Sequence, residues 1–475
     1  MRNVQQFYIN GQWVAPAAGS HAPQMDLVCP ATEQAMGKLV MGDTSDVDSA
    51  VAAAKAAFPA WSRSTRDERL ALLERIRALY QARLEDTAQA ISSEMGAPVW
   101  LARDKQATLG LQAISEVAAS LRNFQFDTQV GTALVEYVPI GVVGLITAWN
   151  WPAGLIWVKV ATALAAGCTI VLKPSEYSPL DAQIAAEILH DAGVPPGVFN
   201  MIFGDGPNVG DALSRHPDVS MISITGSGRA GKEVAIAGAQ SFKRVVQELG
   251  GKSPAIVLDD ADLKAAVAGT AISVFVNSGQ TCVAPTRLLV PRAQYDTALA
   301  IAAATAQAMT VGDPQDPNSK VGPVANRGQF ERIQSMIQTG LEDGARIVAG
   351  GPGRPESLSQ GFYVRPTVFA DVSNDMRIAR EEIFGPVLVV IPYDTDDEAV
   401  AIANDSDYGL AGYVWSSNPD RALSVARQLR TGSVRINGAA ADMQAPFGGF
   451  KASGNGRELG QHGIAEFMEL RSISR

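Results

Sequence analysis

Residues 139–158 read PIGVVGLITAWNWPAGLIWV, and how this stretch is parsed decides the fold. It carries no charge and passes the crude length test for a bilayer-spanning helix. Yet Pro139, Gly141, Gly144, Pro152 and Gly154 interrupt it, and Asn150 sits near its centre. A continuous apolar helix would be broken at those points and would carry an amide into hydrocarbon. A buried strand over 142–148, a turn at Asn150-Trp151-Pro152 and a buried helix over 155–166 use the same residues without that conflict.

The same unit recurs downstream. Strand-like apolar runs fall at 169–173, 198–202 and 219–225, with a helix over 181–192 that has Ser178 as cap, Pro179 in its first turn and Gly193 just past its end. Buried strands joined by helical crossovers predict a parallel, doubly wound sheet. A second α/β series follows Glu248, with segments at 255–258, 263–276, 287–290, 384–391, 396–405, 412–415 and 434–437 and helices near 295–309 and 328–343. The Gly/Pro-rich run 349–355 reads as a surface excursion. No internal repeat or low-complexity linker separates the two halves, so they are expected to pack closely around a cleft. Ligands of such sheets lie outside the carboxyl ends of the strands.

Upstream the pattern is helical. Residues 46–57 form an alanine-rich amphipathic run, and Thr65-Arg66-Asp67-Glu68 is a capping box opening a helix through Arg83. Helical periodicity continues, interrupted near Gly96 and Pro98, to about Arg122. At the start, Asn10-Gly11 between apolar alternations signals a hairpin in place of a cleavable apolar core.

Composition sets limits on partners. The chain has 475 residues, 47% hydrophobic and 19% charged, which predicts two or three well-buried domains and excludes wholesale disorder. A net charge of −10 without a basic run argues against nucleic acid or an anionic membrane as main partner. Any phosphate-bearing ligand would be held locally, by backbone amides and a few cations. The cysteines are Cys29, Cys168 and Cys282, an odd and sparse set that fits a reducing, cytoplasmic setting. The histidines are scattered and no CxxC or HxxxH spacing occurs, so no protein-built metal site is expected.

Chemistry concentrates in a few turns. NSGQTCV, residues 277–283, holds Cys282 in an uncharged, glycine-bearing turn, and QELGGKSP, residues 247–254, holds Glu248 in another. A thiol and a carboxylate on separate loops suit covalent attack by sulfur followed by water activation by the acid. A lone cysteine is also an ordinary core residue. Residues 226–231, GSGRAG, make a formal GxGxxG between strand and helix, and Glu248 then lies where a ribose-binding acid would be sought. Two readings of Glu248 compete: ribose ligand or base. Against the first, this unit is late in the sheet, whereas the fingerprint usually occupies the first. VLKPSE, residues 171–176, offers a better ribose ligand in Glu176, beside Lys173 at a strand mouth. An acid there would repel a 2′-phosphate and favours NAD over NADP, with NADP possible where Lys173 offsets the repulsion. Asn150, in TAWNWP, stands at another strand end, where its amide suits an oxyanion.

Taken together, TAWNWP, VLKPSE, ITGSGRAGKEV, QELGGKSP, NSGQTCV, EEIFGPV (381–387) and PFGGFKASGNGRELG (446–460) resemble the aldehyde dehydrogenase superfamily, over nearly the whole chain. The resemblance implies a Cys282 nucleophile, a Glu248 general base, an oxyanion site at Asn150 with the Cys282 N–H, and proton relay at Lys159. It implies cofactor contacts from Thr147, Trp149, Lys173, Ser175, Glu176, Gly206, Gly226, Ser227, Glu382 and Phe384, with Glu176 on the adenosine ribose and Glu382 on the nicotinamide ribose. Leu155, Val158, Thr281 and Val283 would line the substrate tunnel. The presence of Glu248 points to hydrolytic, non-acylating chemistry. The loop 437–445, NGAAADMQA, lacks large aromatics, which suggests an open pocket; two readings of Asp442 compete, a solvated loop acid, which is favoured, and a contact for a polar or cationic tail.

The expected architecture is two doubly wound α/β domains plus a small β arm. Residues 1–120 and 138–247 would form a Rossmann-like NAD-binding domain, and 248–450 a catalytic domain. Residues 121–137 and 451–475 would supply an oligomerisation hairpin and C-terminal strand, whose exposed edges fit a homodimer or homotetramer. Two other readings are a cofactor-independent thiol hydrolase, which leaves Glu176, Glu382 and the Gly226 loop unexplained, and a non-catalytic binding or structural protein on the same fold.

Overall fold

The computed structural model describes residues 2–474. Residues 139–158 take the strand-turn-helix form. Strand Val142–Ile146 is buried throughout, and helix Pro152–Ala166 is buried at every position but Leu155. Proline at the first helical turn and left-handed Gly167 after the last delimit that helix. Among the described residues no helix is long and apolar enough to cross a membrane.

Around this unit an eight-stranded sheet is ordered Gln12–Val14, Phe7–Ile9, Phe199–Met201, Thr169–Lys173, Val142–Ile146, Met221–Thr225, Arg244–Glu248, Gly454–Asn455. The five middle strands, Phe199–Met201 to Arg244–Glu248, run parallel. Chain order reverses between Val142–Ile146 and its neighbour Met221–Thr225, which are adjacent although two strands intervene in sequence. That reversal is a topological switch point, and it opens a crevice beyond the carboxyl ends of both strands.

The second sheet has seven strands, ordered Arg346–Ala349, Thr367–Ala370, Val387–Tyr393, Arg287–Pro291, Pro254–Val257, Ala411–Trp415, Ser433–Ile436. All pairs but the first are parallel. The 263–276 segment is helix Leu263–Phe275, packed on this sheet. The third sheet is the arm, ordered Met468–Ser474, Ala133–Pro139, Asp127–Val130.

Three expectations change. The hairpin begins later than 121, because helix Thr108–Asn123 runs through that point and buries Leu121. Of 451–475, only Met468–Ser474 lies in the arm: Gly454–Asn455 joins the first sheet, and helix Gly460–Glu466 packs on helices Thr108–Asn123 and Pro152–Ala166. Ser178 occupies the cap position of helix Pro179–Asp191 but makes no side-chain cap bond. Glu94 from another helix caps it instead, through Leu180 N–H at 2.7 Å and Asp181 N–H at 3.2 Å. The hairpin at Asn10-Gly11 and the capping box at Thr65 and Glu68 form as read.

Candidate active site

The crevice is a cleft of about 900 Å³ between the two large sheets. Its walls include Trp149 and Asn150 from the turn after Val142–Ile146, and Gly226 and Ser227 from the turn after Met221–Thr225. Glu248, Cys282, Glu382 and Phe384 come from the second half of the chain. The adjacency of the two central strands thus carries the nucleotide-type glycine turn to the thiol.

Cys282 ends a strained segment. Asn277, Ser278 and Gly279 are consecutive left-handed residues, with φ of 57°, 55° and 74°. Only glycine fits at 279, where a Cβ would lie 2.0 Å from the carbonyl carbon of Gly385. Side chains hold the others. Ser278 Oγ donates to Gly322 O at 2.8 Å, and Asn277 Nδ2 donates to Asn150 O at 2.9 Å. Gln106 Nε2 donates to Asn277 Oδ1 at 2.9 Å, and Asn150 Nδ2 donates to Gln280 O at 3.1 Å. Non-glycine residues keep such a conformation only where surroundings over-determine it, at a cost of about 1–3 kcal/mol each.

Burial of the Cys282 sulfur, with the Glu382 and Glu248 carboxylates near, pushes its thiol up to about 12, although the Val283 and Cys282 N–H groups pull the other way. At neutral pH the sulfur is therefore a thiol awaiting a base. Glu248 is buried and both carboxylate oxygens lack a hydrogen-bond partner among the described residues. Burial, then the nearby Glu458, raises its carboxyl well above the usual range, while Lys159 and Arg457 oppose the rise. A raised carboxyl is a stronger base once ionised. Lys159 is buried, donates to Ser223 Oγ at 2.9 Å and is ion-paired with Glu458.

Glu382 Oε1 accepts from Gly251 N–H at 2.9 Å, and burial moves its carboxyl up to about 7. The Glu382 carboxylate packs against Gly250, where a Cβ would stand 2.0 Å from Glu382 Oε2 and displace it. The Trp149 and Phe384 rings meet edge to face with centroids 5.5 Å apart.

Other expected residues lie elsewhere. Thr147 and Lys173 follow or end the neighbouring central strands, joined by Thr147 N–H to Lys173 O at 3.2 Å. Lys173 Nζ meets Glu176 Oε2 at 2.9 Å, the Ser175 hydroxyl accepts from Tyr177 N–H at 3.2 Å, and Gly206 opens a helical turn. None of these five lines the cleft with Cys282. Leu155, Val158, Thr281 and Val283 also lie off that lining. Thr281 Oγ1 accepts from Trp151 Nε1 at 3.0 Å, and Val283 O from the Tyr413 hydroxyl at 2.7 Å. Asp442 is exposed and accepts from Gln444 N–H at 2.9 Å, closing its own turn. Sequence reasoning missed Gln106, Asn277, Gln280 and Glu458. Glu458 stands inside a quoted motif, a signal that was available; Gln106, on a π-helical turn, has none.

A doubly wound sheet whose switch-point crevice leads to a cysteine defines a two-domain α/β protein with a thiol at a nucleotide-type cleft. Comparison makes that class specific: the chain belongs to the aldehyde dehydrogenase family, whose sequence model matches residues 14–473. It is 49% identical over 474 residues to 3-succinoylsemialdehyde-pyridine dehydrogenase from a Pseudomonas species, covering 100% of this chain and 99% of that protein. Among solved structures, a cysteine-to-alanine mutant of aldehyde dehydrogenase C from Pseudomonas syringae, complexed with NAD+ and octanal, matches with TM-score 0.97 and 51% identity, over 99% of this chain and 96% of that one. Mycobacterium tuberculosis aldehyde dehydrogenase, complexed with NAD+, matches with TM-score 0.96 and 41% identity, over 100% and 98% of the two chains.

Proposed function

We propose that this protein oxidises an aldehyde to its carboxylic acid with NAD, through a thiohemiacetal and then a thioester on Cys282, hydrolysed by water that Glu248 activates. The observation that carries this reading is the shared cleft: Cys282, Asn150 and Glu248 line the same walls as Gly226, Ser227, Glu382 and Phe384.

The fit to NAD rests on the site's own chemistry. Gly250 leaves room for the Glu382 carboxylate at the cleft, and Gly226 and Ser227 precede a helix N-terminus at the switch point. Trp149, Gly226, Ser227, Glu382 and Phe384 would hold the nicotinamide and phosphate half, and Thr147, Lys173, Ser175, Glu176 and Gly206 the adenosine half. When bound, NAD supplies the acceptor for the hydride leaving the substrate carbon.

The protein's residues do the rest. Glu248 takes the Cys282 proton as sulfur adds to the aldehyde carbon, since the resting thiol is not ionised. Asn150 has a second amide hydrogen beyond the one given to Gln280, and it donates to the oxyanion together with the Cys282 N–H. Glu248 next removes a proton from water attacking the thioester, and Lys159 with Glu458 passes protons onward. The acid leaves and the thiol is restored.

Leu155, Val158, Thr281 and Val283 are assigned to the substrate side. The exposed, small-residue loop 437–445 supports a pocket open to extended aldehydes, in line with the octanal complex of the syringae enzyme. Three unpaired cysteines support a cytoplasmic setting, and the exposed edges of the arm and of Ser433–Ile436 support a homodimer or homotetramer. The test is NADH formation from an aldehyde panel, expected with NAD and absent in Cys282→Ala. Turnover by Cys282→Ala, or hydrolysis of thioesters without NADH formation from any aldehyde, would overturn the assignment.

A further inference from the structure

Two acids outside this chemistry are buried without a counter-ion. Glu94, in helix Leu84–Met95, and Asp181, in the first turn of helix Pro179–Asp191, are each 2% exposed. Glu94 spends its oxygens on the N–H groups of Leu180 and Asp181, the capping Ser178 does not perform. Glu94 Oε1 accepts from the Asp181 N–H at 3.2 Å, which brings the two acids together; neither Asp181 oxygen has a partner of full hydrogen-bond geometry among the described residues, although the Ala182 and Asp181 N–H groups oppose the rise of its carboxyl.

Among the described residues, the cations near the pair are engaged elsewhere: Arg327, which lines the same cavity as Glu94, is ion-paired with Glu33, and on the turn Ala102–Ala107 Arg103 is ion-paired with Glu85 while Lys105 is exposed. From helix Arg66–Ala82 the facing titratable group is Tyr80, whose hydroxyl is committed to Ala107 O at 2.7 Å. Arg83 is engaged by Asp86 and Glu187, and Lys159 of helix Pro152–Ala166 by Glu458. Among the described residues, no ion pair joins a basic side chain to either carboxyl. Two ionised carboxylates in such a place would repel each other and both be desolvated. One proton between them relieves both terms, the acid O–H donating to the carboxylate.

We propose that Glu94 and Asp181 hold one proton between them at neutral pH, and that this acid–carboxylate pair positions the loop that receives the cofactor's adenosine ribose. The path is short. Residues 173–178 carry Lys173, Ser175 and Glu176 and run directly into the helix that Glu94 caps, with Ser178 N–H bonded to Ser175 O at 3.2 Å. Glu94, Glu176 and Tyr177 line one cavity. The positioning role rests on the reading of Glu176 as ribose ligand.

Burial, the largest cause, raises both carboxyls, Asp181 to about 7 and Glu94 well above its ordinary value. The sign follows. A group whose folded-state value is raised binds its proton more tightly in the native state, so stability is full at low pH and is lost as pH rises through the folded value. Loss of the shared proton then leaves two like charges at the root of the ribose loop.

The experiment compares wild type with Asp181→Asn, whose amide supplies the donor at every pH, and with Asp181→Ser as a second, smaller donor. The wild-type minus Asp181→Asn difference infrared spectrum, in which the raised carboxyls of Glu248 and Glu382 cancel, is expected to show a protonated-carboxyl band at neutral pH that disappears at alkaline pH. In wild type the thermal midpoint should fall and KM for NAD rise severalfold from neutral to alkaline pH. Both slopes should flatten in the variants, with kcat at saturating NAD unchanged. An identical band and identical slopes in wild type and both variants would overturn the proposal. Glu176→Ala separates the two readings: it should raise KM for NAD at every pH while leaving the band intact. An unchanged KM there would overturn the ribose assignment, and with it the positioning role, while the band still reports on the proton alone.

Discussion

The Asn150 amide and the Gln280 carbonyl are joined across the interface of the two halves, Nδ2 to O at 3.1 Å. The bond ties the turn after the first sheet's central strand to the nucleophile's own loop. Asn277 returns the contact by donating to Asn150 O at 2.9 Å, so the amide we propose for the oxyanion is fixed relative to Cys282 from both sides.

Asn150→Ala removes an oriented donor and one of these ties. The expected result is a fall in kcat of about 10²–10³-fold, the usual cost of one oxyanion donor. Steady-state assays at saturating aldehyde and NAD check it; a fall confined to KM would count against the role.

Glu248 must be ionised to act as base, and its carboxyl is raised above the ordinary range, first by burial and then by Glu458. Steady turnover should therefore climb with pH across an inflection above the usual carboxylate range. Glu248→Gln should keep a single-turnover NADH burst, slowed because the thiol proton has lost its acceptor, and lose steady turnover. Stopped-flow absorbance resolves the two phases.

Lys159→Met strands Glu458 in a buried position. Breaking one side of a buried ion pair costs about 3–5 kcal/mol, so the variant should unfold at markedly lower denaturant concentration. Glu458→Gln, which leaves a neutral acceptor for Lys159, should be milder.

Glu176→Gln removes the charge that faces a 2′-phosphate and releases Lys173 from its 2.9 Å contact. The ratio of kcat/KM for NAD to that for NADP should fall about ten-fold, equivalent to about 1.4 kcal/mol. An unchanged ratio would place the adenosine ribose elsewhere.

Local sequence made much of this legible. Strands Val142–Ile146, two residues shorter than the expected 142–148, and Thr169–Lys173 are readable because burial on both faces leaves an unbroken apolar run, bounded by Gly and Pro. Cys282 and Glu248 stood out as the one thiol of NSGQTCV and the one acid of QELGGKSP, and Asn150 as the one amide of TAWNWP. What escaped depends on distance in the chain. Gln106 matters through Asn277, far along the sequence, and nothing near Gln106 marks it. Ser178 has the right residue type for a cap, yet Glu94 reaches the same N–H groups from another helix. The arm's limits were blurred because the segments flanking its strands are helical and buried, as at Leu121 and Ile464.

The antiparallel pairing of Gly454 with Glu248 and of Asn455 with Gln247 constrains how this protein tolerates recombination. The backbones pass so closely that a Cβ at 454 would lie 2.0 Å from the Gln247 carbonyl oxygen. A chimera spliced with a relative at residue 248, the apparent seam in the chain, would combine one parent's 244–247 strand with the other parent's edge strand. Crossovers that carry 454–455 along with the N-terminal half should yield better-behaved hybrids than a cut at the seam alone.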